Sequence, residues 1–155
     1  MLGWAPSTWL TRRHRGGATM SGTEIIVQRM MDHDMSGVAV SSAVGPIVLA
    51  ELDVSQWREG TLEVLVRNAT VPTGAAITVD VYAMARTDDD PAKMYTKSQS
   101  IATVTINATS TNATYVLTPF SANFGGMVAV AYTATRATTA GTFSSTFETR
   151  ISLKD

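Results

Sequence analysis

The carboxyl-terminal segment alternates apolar and polar side chains. One parity holds Phe143, Phe147, Ile151 and Leu153, and the other holds Ser144, Thr146, Glu148, Arg150 and Ser152. A period of two requires a strand with one face on a core and the other face polar. The segment therefore predicts a strand in a two-layer β structure.

Similar patterns recur from about residue 36 onward as about eight short runs separated by turn residues. The first run opens at residues 38–40 and continues at 46–50 after a break at Gly45-Pro46. Further runs cover residues 52–57, 62–66, 77–83, 101–106, 115–117 and 127–132. No helical periodicity stands between them, which excludes a parallel α/β fold. We therefore predict an all-β fold, an antiparallel two-sheet sandwich of jelly-roll type, in a single domain over residues 23–155.

The segment that opens this domain fits two patterns. Ile25 and Val27 alternate as in a strand, whereas Ile26 and Met30 would share one face of a helix. We favour an initial strand that runs into a turn at residues 32–34.

Residues 1–22 fit neither pattern and are predicted to form an extended N-terminal arm. The arm carries two tryptophans, which are costly to leave in water, so they fold back on their own body or dock on a neighbouring subunit. We favour the second, because glycines follow them. The predicted arm contacts are Trp4, Trp9, Arg12, Arg13 and Arg15.

Charge and cysteine content limit the function classes. The formal net charge is −1, and three arginines in the arm are too few to package a genome, so no direct nucleic-acid contact is expected. The chain has no cysteine, which excludes a disulfide framework and a cysteine-ligated zinc site. Only 16% of residues are charged, so a Thr- and Ala-rich surface is easily buried against a neighbour.

No targeting or membrane segment is predicted. The pair Arg12-Arg13 invites a twin-arginine export interpretation, but Arg15 and two glycines follow where an apolar region should stand. No apolar stretch approaches the length of a membrane span. We therefore expect synthesis in the host cytoplasm and no membrane partner.

Catalytic and metal-binding patterns are weak. His33 lies between two aspartates, so a Ser–His–Asp arrangement is conceivable, but we interpret it as an exposed turn histidine flanked by solvated acids. His14 lies in the arm, where nothing rigid holds it. The run Asp88-Asp89-Asp90 lacks the spacing of a calcium loop and is interpreted as a solvated turn. We predict no enzyme activity, no metal and no cofactor.

Strand carboxylates and aromatic residues leave one alternative open. The acids Glu51, Glu63, Asp80 and Glu148 are interpreted as ordinary outer-face charges, since nothing selects a catalytic pair. The aromatic residues Trp57, Tyr82, Tyr95 and Tyr115 are candidates for a sugar-stacking platform. A carbohydrate- or cell-surface-binding module is therefore the alternative function.

Several segments carry a resemblance to a known class of proteins. They are LDVSQW at residues 52–57, GTLEVLV at 60–66, the Asp90-Pro91 loop and FSANFGG at 120–126. Together they resemble small β-sandwich structural proteins of tailed-phage heads, and small jelly-roll coat proteins of spherical viruses are a second similarity. The resemblance implies a capsid decoration, cement or minor capsid protein that stabilises a shell without chemistry. It also implies a homo-oligomer, often a trimer, whose terminal arm crosses to a neighbour.

We therefore predict a virion structural protein located in the virion. Its expected partners are further copies of itself and a major capsid protein.

Overall fold

The computed structural model describes residues 22–84, 100–110, 114–122, 126–136 and 141–155. Within these ranges the chain forms eight β-strands and no helix. They are β1 (Gly22–Asp34), β2 (Ser42–Asp53), β3 (Glu59–Thr70), β4 (Ala75–Met84), β5 (Ser100–Asn107), β6 (Thr114–Ser121), β7 (Met127–Arg136) and β8 (Ser144–Lys154). The predicted all-β class is confirmed.

The two halves of the chain pair strand by strand. Antiparallel pairs join β1 to β8, β2 to β7, β3 to β6 and β4 to β5. Two further pairings, β3 with β8 and β4 with β7, close the first sheet in the order β1-β8-β3-β6 and the second in the order β2-β7-β4-β5. This nested pairing is the topology of an eight-strand jelly roll. The predicted antiparallel sandwich is confirmed.

The core lies between the two sheets and follows the alternation of the strands. On β8, Phe147 and Ile151 are fully buried, while the intervening Glu148 and Arg150 are partly exposed. The largest fully buried side chains come from both sheets and from the loops beside them: Phe143, Phe147, Leu62, Ile77, Ile106, Ile151, Leu153, Val27, Val54, Val64, Val66 and Val79. Branched and aromatic side chains suit such a pleated, closely packed interior.

One glycine fixes the packing at the end of the first sheet. Gly60 lies on β3 opposite Phe120 on β6, and the Phe120 ring lies over the glycine backbone. A Cβ atom at position 60 would lie 2.2 Å from the Cζ atom of Phe120. The absence of a side chain at Gly60 therefore provides the space that the buried ring occupies.

His33 corrects a prediction made from the sequence. It was expected to be an exposed histidine in a turn, but it lies in β1 and its residue is only 6% exposed. The register of β1 against β8 shifts twice, between Ile26 and Gln28 and between Gln28 and Met31. His33 has the same parity as the buried Val27, but the strand was predicted to end in a turn at residues 32–34, so the alternation was not continued to His33.

The imidazole of His33 joins the two sheets. It stacks on Phe147 of β8 with 4.5 Å between ring centroids and meets Tyr132 of β7 edge-on at 5.0 Å. Gln28 Nε2 and His33 Nε2 are 2.6 Å apart. Within the described part of the chain, the Gln28 Oε1 atom and the Thr149 hydroxyl are buried without a hydrogen-bond partner. Burial lowers the pKa of His33, against the opposing effect of Asp32.

The structure also differs from two strand boundaries predicted from the sequence. Residues 38–40, predicted to open a strand, form a turn in which Val38 is buried and its N–H donates to the carbonyl of Met35. The predicted break at Gly45-Pro46 lies inside β2, where the register against β7 shifts between Val44 and Ile47. Gly45 has a φ of 110°, and a Cβ there would lie 2.7 Å from the Tyr132 carbonyl oxygen. The strand therefore continues through the pair as an irregularity.

Gly60→Ala is expected to lower the free energy of unfolding by about 1–3 kcal/mol, because the new methyl group displaces the Phe120 ring from a filled site. Urea denaturation monitored by circular dichroism measures this change. Gly37→Ala is the matched control, since a Cβ there meets nothing within 4 Å. Equal midpoints for the two variants would contradict this account of Gly60.

Acidification is expected to destabilise the fold through His33. Because burial lowers the pKa of His33 below its ordinary value of 6.5, the unfolded chain binds a proton more readily than the folded chain. The stability difference is absent well above pH 6.5 and grows as the pH falls from there toward the lowered pKa of the folded form. Urea midpoints measured at about pH 7.5 and about pH 5.5 should therefore fall further for the wild type than for His33→Gln. Parallel pH profiles for the two proteins would overturn this assignment.

Candidate association surface

The residues predicted as arm contacts lie outside the described residues. This applies to Trp4, Trp9, Arg12, Arg13 and Arg15, and also to His14, Tyr95 and the run Asp88-Asp89-Asp90. The candidate surface is therefore built from the body of the jelly roll.

Four of the seven exposed large hydrophobic residues in the described part of the chain lie on or just before β2, an edge strand of the second sheet. We call this surface the β2 apolar edge, and it consists of Val40 in the preceding turn and Val44, Ile47 and Val48 in the strand. These four side chains are between 38% and 45% exposed. Among the described strands it pairs with β7 alone, so none of them pairs with the backbone groups on its other side, which lie beside the apolar side chains.

The β2 apolar edge lacks one of the protections that sheet edges usually carry, which is charge. Natural edge strands are commonly protected by charged side chains, proline or irregular pairing. Here Pro46 and the register shifts of β2 are present, but residues 35–50 contain no charged residue. An uncharged apolar edge of this kind is suited to being covered by another polypeptide segment.

Acidic residues follow the apolar part of the strand. Glu51 and Asp53 are exposed at the carboxyl end of β2. Asp53 Oδ1 accepts a hydrogen bond of 2.9 Å from the Ser55 N–H in the turn that follows. Along β2 the surface therefore changes from apolar to acidic within one strand.

A second exposed apolar pair lies on β6, an edge strand of the first sheet. Tyr115 and Leu117 are 52% and 53% exposed on its outer face. The Tyr115 hydroxyl donates a hydrogen bond to Glu63 Oε2 on the neighbouring strand β3. This hydrogen bond, with smaller contributions from burial and the Glu63 charge, raises the pKa of Tyr115 to about 12. The phenol therefore stays neutral as a donor while its ring faces outward.

Two strand carboxylates are more buried than the sequence suggested. Glu63 and Asp80 were expected to be ordinary outer-face charges, but they are only 9% and 7% exposed. Glu63 accepts hydrogen bonds from Tyr115 and Ser152. Each of these donors lies on a different neighbouring strand, far away in the sequence, so no local pattern could have revealed them.

Asp80 is held in the same way on the outer face of the second sheet. Its carboxylate accepts hydrogen bonds from Thr103 at 2.5 Å, Ser100 at 3.0 Å and Tyr82 at 3.3 Å. Partial burial raises the pKa of Tyr82, and the charge and hydrogen bond of Asp80 add to this effect. The carboxylate is thus a structural acceptor that ties β4 to β5.

The remaining outer-face charges of the first sheet form an ion-pair network. Arg150 Nε donates to Glu148, and Arg150 Nη1 lies 2.9 Å from Glu24 Oε1. Glu148 also accepts a hydrogen bond from the Met30 N–H at 3.2 Å. The hydrogen bond to Glu148 is the largest cause that raises the pKa of Arg150, and the contact with Glu24 contributes less. The network links β1 to β8 and leaves its carboxylates engaged by donors.

The described residues contain no constellation suited to catalysis or metal binding. No group of three or more His, Cys, Asp or Glu side chains among them could hold a metal ion. His33 is enclosed by Phe147 and Tyr132, so it cannot serve an external substrate. Nor does any helix in the described ranges have the length and apolar character needed to cross a membrane.

The aromatic residues that were candidates for sugar stacking differ in exposure and surroundings. Trp57 is partly buried and packs against the core, and Tyr82 is partly buried beside Asp80. Tyr115 keeps an exposed ring beside a hollow of about 290 Å³ lined by Glu63, Leu65, Tyr115, Glu148 and Arg150. Tyr95 lies outside the described residues.

The sequence signal for the β2 apolar edge was visible only in part. The run Pro46–Ala50 was predicted to be a strand from its apolar character. A continuous apolar run is also typical of a buried strand, so the exposure of Ile47 and Val48 was missed. The absence of charge over residues 35–50 is the feature that could have indicated it.

Comparisons with known proteins give a distant structural likeness. No family model and no curated protein matches the chain. A structure of the Gx strain of infectious bursal disease virus matches with 13% identity and a TM-score of 0.48 over 97% of this chain and 36% of that one. The VP2 subviral particle of the same virus matches with 13% identity and a TM-score of 0.49 over 96% of this chain and 37% of that one. The chain thus spans little more than a third of the length of these proteins, and its jelly-roll assignment follows from its own strand order.

Proposed function

We propose that this protein is a virion structural protein, a capsid decoration, cement or minor capsid subunit that acts without catalysis. Its partners would be further copies of itself and a major capsid protein, and its location would be the virion. The observation that supports this most is the β2 apolar edge on a jelly-roll body. Its residues offer uncharged, apolar contact area along an open sheet edge.

The energetics of such an edge favour association with a protein. Burying apolar surface contributes about 25 cal/mol per Å² before the costs of association are subtracted. Backbone groups at an open edge can add hydrogen bonds to a further strand. No long charged side chain from residues 35–50 has to be desolvated in the process. A modest contact repeated over a shell gains strength because each bound copy raises the effective concentration of the next contact.

The N-terminal arm would supply the second set of contacts. Trp4 and Trp9 offer apolar area that one copy can bury on a neighbour. Arg12, Arg13 and Arg15 can pair with surface carboxylates on that neighbour. The same three arginines are too few for genome packaging, so the arm is proposed as a protein contact.

The chemistry of the described residues agrees with a structural role. Glu63 and Asp80 are engaged by hydroxyl donors, and Arg150 is paired with two glutamates. These polar groups hold strands together across each sheet. Their arrangement suits a rigid building block.

Ile47→Lys is expected to weaken self-association by about tenfold or more, because a charge would have to be buried at the contact. Sedimentation velocity over a range of protein concentrations measures the size of the species. Thr105→Lys is the matched control, since Thr105 is exposed on β5, the opposite edge of the same sheet. A wild type that remains monomeric at all concentrations and forms no particle would overturn the proposal, as would an Ile47→Lys variant that associates normally.

A carbohydrate-binding role is the second candidate, and the exposed Tyr115 ring beside its hollow favours it. Under this alternative, Tyr115→Ala would reduce binding on a glycan array by about tenfold or more, since stacking on the ring is lost. Tyr115→Phe is the control that removes the hydroxyl bond to Glu63 and keeps the ring. Absence of glycan binding by the wild-type chain would remove this candidate.

A further inference from the structure

We propose that residues 28–34, which we call the β1 end segment, open away from β8 under mildly acidic conditions when His33 takes up a proton. This inference goes beyond the loss of overall stability that acidification is expected to cause, because it confines the change to one segment of an edge strand. It concerns the single chain, so it does not depend on the proposed virion role.

At neutral pH the contacts of His33 suit an uncharged imidazole. The ring stacks on Phe147 of β8 and lies edge-on to Tyr132 of β7, so it fills a position between the two sheets. The Gln28 Nε2 atom, 2.6 Å away, can only donate a hydrogen bond, so His33 Nε2 accepts it. A ring nitrogen of histidine accepts only when the imidazole is neutral. Protonation of His33 therefore removes this contact.

The surroundings of the ring do not compensate a positive charge. No carboxylate among the described residues forms an ion pair with His33. The rings that face it from other strands are those of Phe147 and Tyr132, and burial raises the pKa of Tyr132, so both are neutral. Rotation of the Gln28 amide would offer one neutral oxygen and no charge. A buried cation without a paired carboxylate is costly, so the protonated ring is favoured in water.

The charged groups around the β1 end segment lie on its solvent side. Arg29, Asp32 and Asp34 are exposed, and Glu148 of β8 is partly exposed on the outer face of the sheet. Asp32 favours the charged imidazole, but burial has the larger effect and lowers the pKa of His33. Proton uptake coupled to opening is therefore expected below pH 6.5, and opening brings the imidazolium into the solvent beside the two aspartates.

Little apolar burial holds the β1 end segment closed. Within residues 28–34 only Gln28 and His33 are buried, and Met31 is 55% exposed. The Gln28 Oε1 atom and the hydroxyl of its cross-strand neighbour Thr149 are buried without a hydrogen-bond partner among the described residues. Opening therefore gives up little apolar contact and lets water reach two unpaired polar atoms.

The topology allows the opening to stay local. Among the described strands β1 pairs with β8 alone, and its register is already irregular between Gln28 and Met31. The opposite residues of β8 keep their pairing with β3 along residues 64–70. Val27 and Met35 flank the segment and are buried in the core, so they hold its two ends. The segment can therefore leave β8 as a loop while both sheets remain.

Amide hydrogen exchange of the full chain, followed by mass spectrometry at about pH 7.5 and about pH 5.5, tests the proposal. Labelling times are scaled for the change in intrinsic exchange rate. The opening constant of residues 28–34 should rise by up to about tenfold at the lower pH, the ratio given by a group that titrates near 6.5 only in the open form. Residues 77–81 of the central strand β4 serve as the reference within the same protein and should not change. The matched variant His33→Gln, which cannot take up the proton, should show no rise.

Three results would overturn the proposal. They are an equal rise in residues 77–81, which would show global unfolding, no rise in residues 28–34, and the same pH dependence in His33→Gln. An NMR titration of the His33 ring in the wild type provides a second test that does not require the variant to fold. The midpoint of ring protonation should coincide with the midpoint of the exchange change, and separate midpoints would also overturn the proposal.

Discussion

The nested antiparallel pairing of the two chain halves is the constraint on which the structure depends. Strands β3 and β8 occupy the middle of the first sheet, and β4 and β7 occupy the middle of the second. The fully buried Phe147, Ile151, Ile77 and Val79 lie on these central strands. The same pairing leaves β1, β2, β5 and β6 as edges. The location of the candidate association surface is therefore a consequence of the topology.

The sequence predicted the parts of the fold that depend on local alternation. The alternation around Phe147 and Ile151 identified the core face of β8 correctly, and that around Ile77 and Val79 did so for β4. His33 was placed wrongly because the first strand was predicted to end in a turn at residues 32–34, whereas its pairing with β8 continues to Asp34. The point at which β1 ends depends on this partner strand, which lies more than a hundred residues away in the sequence.

The candidate site was harder to predict for a related reason. Whether an apolar run is buried or exposed depends on whether its strand is central or at an edge, and strand order is not a local property. The run Pro46–Ala50 was correctly predicted to be a strand, but its edge position was not. Glu63 was missed in the same way, since Tyr115 and Ser152 reach it across strand boundaries. Glu63 is buried because β3 lies between β6 and β8, whose side chains cover it.

An uncharged edge strand has a physical cost that points to its use. Exposed apolar side chains beside open backbone groups promote unselective pairing, and charge is the usual protection. In residues 35–50 that protection is absent, while Gly45 and Pro46 introduce an irregularity that limits regular pairing with arbitrary strands. Such an edge favours a partner whose side chains match both its apolar part and the acids at its end.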